Sequence, residues 1–261
     1  LDPAECGPAC LSLCQDVQGE TFDYPEEFFK ERIHNIRRPR PDDFQIKQAV
    51  EKIKNSKKPI IISGGGVFYS DAMDELGNFA IKHNIPVTQT VMGYSTMKKD
   101  HSHFVGPIGG LGGKAANNLA KETDLAICIG TKLADFTTGS WANFENPEFK
   151  LVSINIARHD ANKHLAEAVI GDAKVTLTEL SNAIGDWKSS DSWHKKSQVE
   201  LKSWNEYVDK ESGPTNQELP SYAHAVGAIY RNSDPTDIAV TAAGGLVGEV
   251  VQVWRPRELN T

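Results

Sequence analysis

The chain has 261 residues, 39% of them apolar and 24% charged, with 21 glycines and four cysteines. This composition excludes a disordered, collagen-like or disulfide-dense polypeptide, and the length suffices for one large domain or two modest ones. With 28 basic against 35 acidic residues the net charge is −7, which argues against nucleic acid or an acidic membrane surface as partner.

Leu1 to Glu5 lack the basic and apolar regions of a signal peptide, and no window approaches 18 apolar residues, so no membrane span is expected. Cys6, Cys10, Cys14 and Cys128 form no CxxC or Cys/His zinc spacing and are expected as reduced cytosolic thiols. Residues 9–14 read as one short strand, which cannot be stable alone. Residues 15–42 are polar and broken by Pro25, Pro39 and Pro41, and Arg37-Arg38-Pro39-Arg40 reads as solvated linker.

From Asp42 the pattern becomes regular. Phe44, Ile46, Ala49, Val50 and Ile53 recur at helical spacing behind an aspartate N-cap. Ile60-Ile61-Ile62-Ser63 is an apolar run of the kind that buried parallel strands show, followed by Gly64-Gly65-Gly66 and, after a loop, a helix over 70–83. Further strands are predicted at 85–90, 124–130, 151–156 and 168–172, with helices at 114–121 and 173–184. Strands alternating with helices imply a doubly wound parallel α/β sheet, Rossmann-like, complete over 42–185. Residues 186–220 read as a linker carrying a helix with Trp193, Leu201, Trp204 and Val208 on one stripe. A helix at 221–231, a strand at 237–241 and a glycine turn into a last helix look like the start of a further α/β unit. A complete middle domain with a piece of a neighbour on each side is the expected organisation: 1–20, 21–41 as linker, 42–185, 186–220, and 221–261.

The glycine loops are the candidate site. Glycine lets backbone approach a phosphate, and a helix N-terminus offers free N–H groups. Gly64-Gly65-Gly66 leaves a strand this way, but the spacing is not GxGxxG and no acidic residue ends the second strand, so a tight βα turn is the alternative. Gly109 to Gly113 before a helix is a second cradle or simply a flexible loop. Gly130-Thr131-Lys132 leaves a third strand, and Thr131 with the triplet would border a crevice at the carboxyl edge. Asp100, His101 and His103 lack a fourth metal ligand, and His159, Asp160 and His164 read as a polar helix start. Neither GxSxG nor GxxxxGK[ST] occurs, and no catalytic constellation is evident over 42–185.

Several stretches carry a family resemblance. Gly7-Pro8-Ala9-Cys10-Leu11-Ser12-Leu13-Cys14-Gln15-Asp16-Val17 resembles the strand that ends the pyrimidine-binding domain of thiamine-diphosphate-dependent enzymes, with Cys14 in place of a proline. Lys58 to Gly66, Ala115-Ala116-Asn117 and Asp124 to Thr131 are similar to that superfamily's central domain, and Asp237 to Gly244 to the first strand of its diphosphate-binding domain. Gln15 to Gln18, Phe22 to Pro25, Asp135-Phe136-Thr137-Thr138-Gly139-Ser140-Trp141 and Ser221 to Ile229 resemble the branch that hydrolyses a trihydroxycyclohexane-1,2-dione in myo-inositol catabolism. Residues 89–97 and 105–113 depart from that branch.

The resemblance implies hydrolysis of a carbon–carbon bond in a small cyclic dione, with thiamine diphosphate and Mg²⁺ as cofactors, in a cytoplasmic homo-oligomer. It places the activating glutamate before Leu1 and the Mg²⁺ motif after Thr261, so the partners expected are flanking domains of the same polypeptide. Ala243, Gly244, Gly245 and Leu246 would approach the diphosphate; no catalytic or metal-binding residue is expected within the chain, which alone should be inactive. Relatives that bind FAD carry an arginine and an acidic pair where this chain has Asp135-Phe136-Thr137 and Ile154-Asn155-Ile156, so FAD is not expected. Two other readings stand beside this one: a free-standing module whose glycine loops hold ADP, FAD or NAD, and a purely scaffolding domain.

Overall fold

The computed structural model of the chain describes residues 2–242 and 244–261. Before Pro41 it holds turns and two short 3₁₀ segments, Val17–Gly19 and Glu26–Phe29. The strand expected at 9–14 is not formed. No described strand lies beside it to complete a hydrogen-bond ladder, and Leu11 and Leu13 are exposed.

The regular elements then follow as α1 (Asp43–Asn55), β1 (Pro59–Ser63), α2 (Gly65–Tyr69), α3 (Met73–His83), β2 (Val87–Gln89), β3 (Phe104–Pro107), α4 (Lys114–Glu122), β4 (Leu125–Ile129), α5 (Asp135–Thr138), β5 (Lys150–Asn155), α6 (Arg158–Ala161), β6 (Glu167–Ile170), α7 (Ala173–Ile184), α8 (Asp191–Glu211), α9 (Tyr222–Asn232) and α10 (Gly245–Val253). Asp42 caps α1 as expected, accepting from the Phe44 N–H at 2.9 Å.

All strand pairs are parallel, and the order is β3-β2-β1-β4-β5-β6. This is the doubly wound order, with its switch point between β1 and β4. Side chains alternate between the two faces. Ile61, Ile127 and Val152 lie on one face with Ile53 of α1, Phe79 of α3 and Leu180 of α7. Ile60, Ile62, Ala126 and Cys128 lie on the other with Leu119 of α4 and Trp193 of α8.

Three further sequence expectations are corrected. β3 was not anticipated, because Gly106 and Pro107 break the apolar pattern that marks the other strands. The stretch after the glycine triplet is helical: α2 starts at Gly65, and a break at 70–72 precedes α3. Residues 237–241 form no strand, and Ile238 and Val240 stand exposed. The arginine run is exposed, as the linker reading expects, but two of its side chains are engaged. Arg38 forms an ion pair with the buried carboxylate of Asp172 at 3.1 Å and donates to the Ser70 carbonyl, and Arg40 pairs with Glu179. Asp172 also caps α7 through the Lys174 N–H at 3.0 Å, so Arg38 fastens the lead-in segment to the α7 cap.

Within 186–220, α8 is a wall of the domain rather than a tether. Trp193 is buried and its Nε1–H donates to the Pro59 carbonyl at 2.8 Å. Val208 near its far end packs with Val226 of α9 and Val253 of α10.

Candidate functional site

The loops leaving β1 and β4 do meet at the carboxyl edge, at the switch point. They meet backbone to backbone. The Gly64 N–H donates to the Ile129 carbonyl at 2.8 Å, the Gly66 N–H to the Gly130 carbonyl at 2.9 Å, and the Gly130 N–H to the Ile154 carbonyl at 2.8 Å. A Cβ on Gly64 would lie 2.4 Å from the Gly130 oxygen, and one on Gly66 2.5 Å from the Gly130 Cα. Gly65 packs less tightly on the next loop, with its added Cβ 3.0 Å from the Met92 oxygen. Glycine is required here so that two loops can touch, and the N–H of Gly66 that would face an anion is already used.

Thr131 is likewise occupied. Its Oγ1 accepts from the Leu133 N–H at 3.2 Å, and its carbonyl accepts from Asn155 Nδ2 at 3.1 Å. The loop at 109–113 is pinned rather than flexible. Asn117 accepts from the Gly109 N–H at 2.9 Å and donates to its carbonyl at 3.0 Å. The N–H groups of Gly110, Gly112 and Gly113 donate to the carbonyls of Phe136, Gly109 and Pro107. Asn117 thus explains a side chain that the family pattern singles out.

The turn before α10 is different. Gly244 has φ 137°, a value that L side chains rarely adopt, and it is exposed in front of a nine-residue helix. No side-chain hydrogen bond caps that N-terminus, whose first N–H groups belong to Gly245 and Leu246. Ala243 lies outside the described residues. Among the described residues no cluster of three or more His, Cys, Asp or Glu side chains is placed to hold a metal ion. Among those residues no helix is long and apolar enough to cross a membrane.

Two further features lie away from the turn. A cavity of about 470 Å³ opens at the amino edge between α1, β1 and β5, bordered by Lys52, Lys58, Asp124 and Lys150. There Asp124 is structural: its carboxylate accepts from the N–H groups of Lys57 and Lys58 at 2.7 and 2.9 Å and fixes the start of β1.

The second is a histidine group at the start of β3. His103 is buried and stacks on His194 of α8, with ring centroids 4.1 Å apart and 19° between planes. Its Nε2 donates to Asn84 Oδ1 at 3.1 Å, and the Ser102 hydroxyl lies 2.9 Å from its Nδ1. Burial, with the neighbouring His194 and His101, lowers its pKa to about 4. Burial also lowers the pKa of His194 and of His101, against the opposing pull of Asp191 and Asp100. Below pH 6.5 the unfolded chain binds a proton that folded His103 refuses, so stability falls between pH 6.5 and 4. The loss expected from His103 is about 2–3 kcal/mol after allowance for solvent screening. Thermal unfolding from pH 7.5 to 4.5 should therefore fall more steeply for the native chain than for His103→Gln. Parallel curves would refute the assignment.

The sheet order and the switch point closed by glycine contacts define a Rossmann-type domain, followed by the glycine turn that starts α10. The chain belongs to the thiamine pyrophosphate enzyme family, whose central-domain model matches residues 46–180. It is 38% identical to a 3D-(3,5/4)-trihydroxycyclohexane-1,2-dione hydrolase of Clostridium perfringens strain 13 over 97% of this chain and 43% of that protein. It is 37% identical to the protein of the same name from Clostridium botulinum strain Alaska E43, and 38% to that of Bacillus anthracis, in each case over 100% of this chain and 44% of the relative. The chain therefore spans less than half the length of these relatives.

Proposed function

We propose that this chain works as the middle portion of a thiamine-diphosphate-dependent hydrolase that opens the ring of a trihydroxycyclohexane-1,2-dione by cleaving a carbon–carbon bond. The observation that carries this reading is end-to-end similarity, at 37–38% identity, to proteins bearing that name. Thiamine diphosphate supplies the carbanion chemistry when bound. The turn Gly244, Gly245 and Leu246 fits the anionic end of that cofactor through its backbone N–H groups and the positive end of α10. Ala243 completes the turn in sequence. Mg²⁺ would accompany the diphosphate, held by residues other than those described.

In this reading Gly64, Gly65, Gly66 and Thr131 close the switch point and keep the central domain rigid; the spent N–H of Gly66 supports a packing role over a nucleotide cradle. The exposed apolar stretches around Leu11, Leu13, Ile238 and Val240 fit contact with the parts of the protein that the longer relatives possess. The four free cysteines fit a reducing cytoplasm, and self-association into an oligomer completes the proposal.

The test is to measure the intact mass of the native protein and assay it with the cyclic dione. A polypeptide well over twice the present length, with ring opening that requires thiamine diphosphate and Mg²⁺, is expected. The 261-residue chain alone should not turn the dione over. Micromolar binding of ADP, FAD or NAD by the isolated chain would replace this reading with the nucleotide-binding one.

A further inference from the structure

We infer that Gln89 and Arg255 enclose a binding site for a single water molecule, which joins the C-terminal helices to the central sheet. Gln89 is the last residue of β2 and is fully buried. Its backbone carbonyl accepts from the Ile108 N–H at 3.0 Å, yet neither Oε1 nor Nε2 of its side chain has a partner. Arg255 follows α10. Its terminal nitrogens donate to Asn205 Oδ1 at 3.3 Å and to Asp209, while its Nε is buried and unpartnered. Both residues line one cavity of about 20 Å³, with Tyr94, Trp204 and Val251 among its walls.

Three buried polar atoms without partners on two residues that line one small cavity are rare in folded proteins, and each costs free energy comparable to a lost hydrogen bond. The volume suits about one water. Of the polar side-chain atoms without a partner on these lining residues, two are N–H donors, Nε2 of Gln89 and Nε of Arg255, and one is an acceptor, Oε1 of Gln89. A water accepts from both donors and donates to the acceptor, which makes the three bonds that buried waters commonly form. An anion would meet Oε1 of Gln89. A cation would meet Arg255 and Lys99, which also lines the cavity and whose Nζ donates to the Tyr230 hydroxyl at 3.0 Å. The mixed lining therefore selects water. This assignment does not rest on the proposed catalytic activity.

The site is tested on the whole chain in two ways. In the native protein, the side-chain amide protons of Gln89 should show cross-relaxation with a long-lived water, and a high-resolution crystal structure should show one density peak about 3 Å from both Gln89 and Arg255 Nε. Gln89→Met keeps the side-chain length but removes the water's anchor and leaves the Arg255 N–H unpaired. Its unfolding constant should rise about five- to hundred-fold. A native protein without the water signal would overturn the inference. So would a methionine variant at least as stable as the parent, since an unhydrated glutamine would be improved by that change. If the variant fails to fold, the two measurements on the native protein decide.

Discussion

Gly66→Ala is expected to lower the melting temperature by about 10 °C or to leave the chain insoluble. The added Cβ would lie 2.5 Å from the Cα of Gly130, and both contact atoms belong to backbone, so no rotamer relieves the clash. The two loops would have to part, with loss of the 2.9 Å bond from the Gly66 N–H to the Gly130 carbonyl at the switch point of the sheet. Overpacking of this kind costs about 3 kcal/mol or more, and each kcal/mol shifts the melting point of a chain this size by about 2–4 °C. Gly110→Ala is the control. Its nearest atom would be 3.9 Å away, and a change within about 1 kcal/mol is expected. Equal stability of the two variants would remove the packing role of the triplet. The reading of the triplet as a phosphate cradle makes the opposite forecast: lost ligand binding with stability nearly intact.

Trp193→Ala is expected to destabilise the chain by about 3–5 kcal/mol, again about 10 °C or more. The indole is only 3% exposed, packs in the core with Ile60 and Leu119 of the facing elements, and donates to the Pro59 carbonyl. Removing it leaves a cavity between α8 and the sheet and strands that carbonyl. Trp193→Phe keeps most of the apolar volume and should cost about 1–2 kcal/mol. The check is thermal unfolding followed by far-UV circular dichroism. An alanine variant that melts like the parent would mean that α8 does not contribute to the fold's stability.

Strands buried on both faces were legible because they are continuous apolar runs. Ile60-Ile61-Ile62 and Leu125 to Ile129 have no competing interpretation, and α7 was bounded by its capping Asp172 and by Gly185. β3 was illegible because it is four residues long and contains glycine and proline. The extended stretches at 9–14 and 237–241 carry strand-like side chains, but a ladder is a property of two segments, and composition does not show whether the second is at hand. At the candidate site the glycines themselves were plain. Their purpose was not, since contact between Gly66 and Gly130 links positions 64 residues apart in sequence and leaves no local pattern. The role of Arg38 was hidden in the same way: an exposed basic run and one reaching a buried carboxylate look alike along the chain. Gln89 carried a signal that went unused, an uncharged polar residue ending a buried strand.

The placement of α8 bears on how the protein can be divided. The family match ends at residue 180, and the six strands are complete by Ile170, so a cut near Gly185 looks natural on paper. Such a cut would strip one side of the sheet of the helix that carries Trp193 and would bare a patch of isoleucine and alanine to water. Proteins that expose contiguous apolar surface of this kind tend to aggregate. A soluble central domain should therefore be sought only in pieces that run through Glu211, and proteases acting on the whole polypeptide should spare 186–211 while cutting the exposed stretch around Leu219.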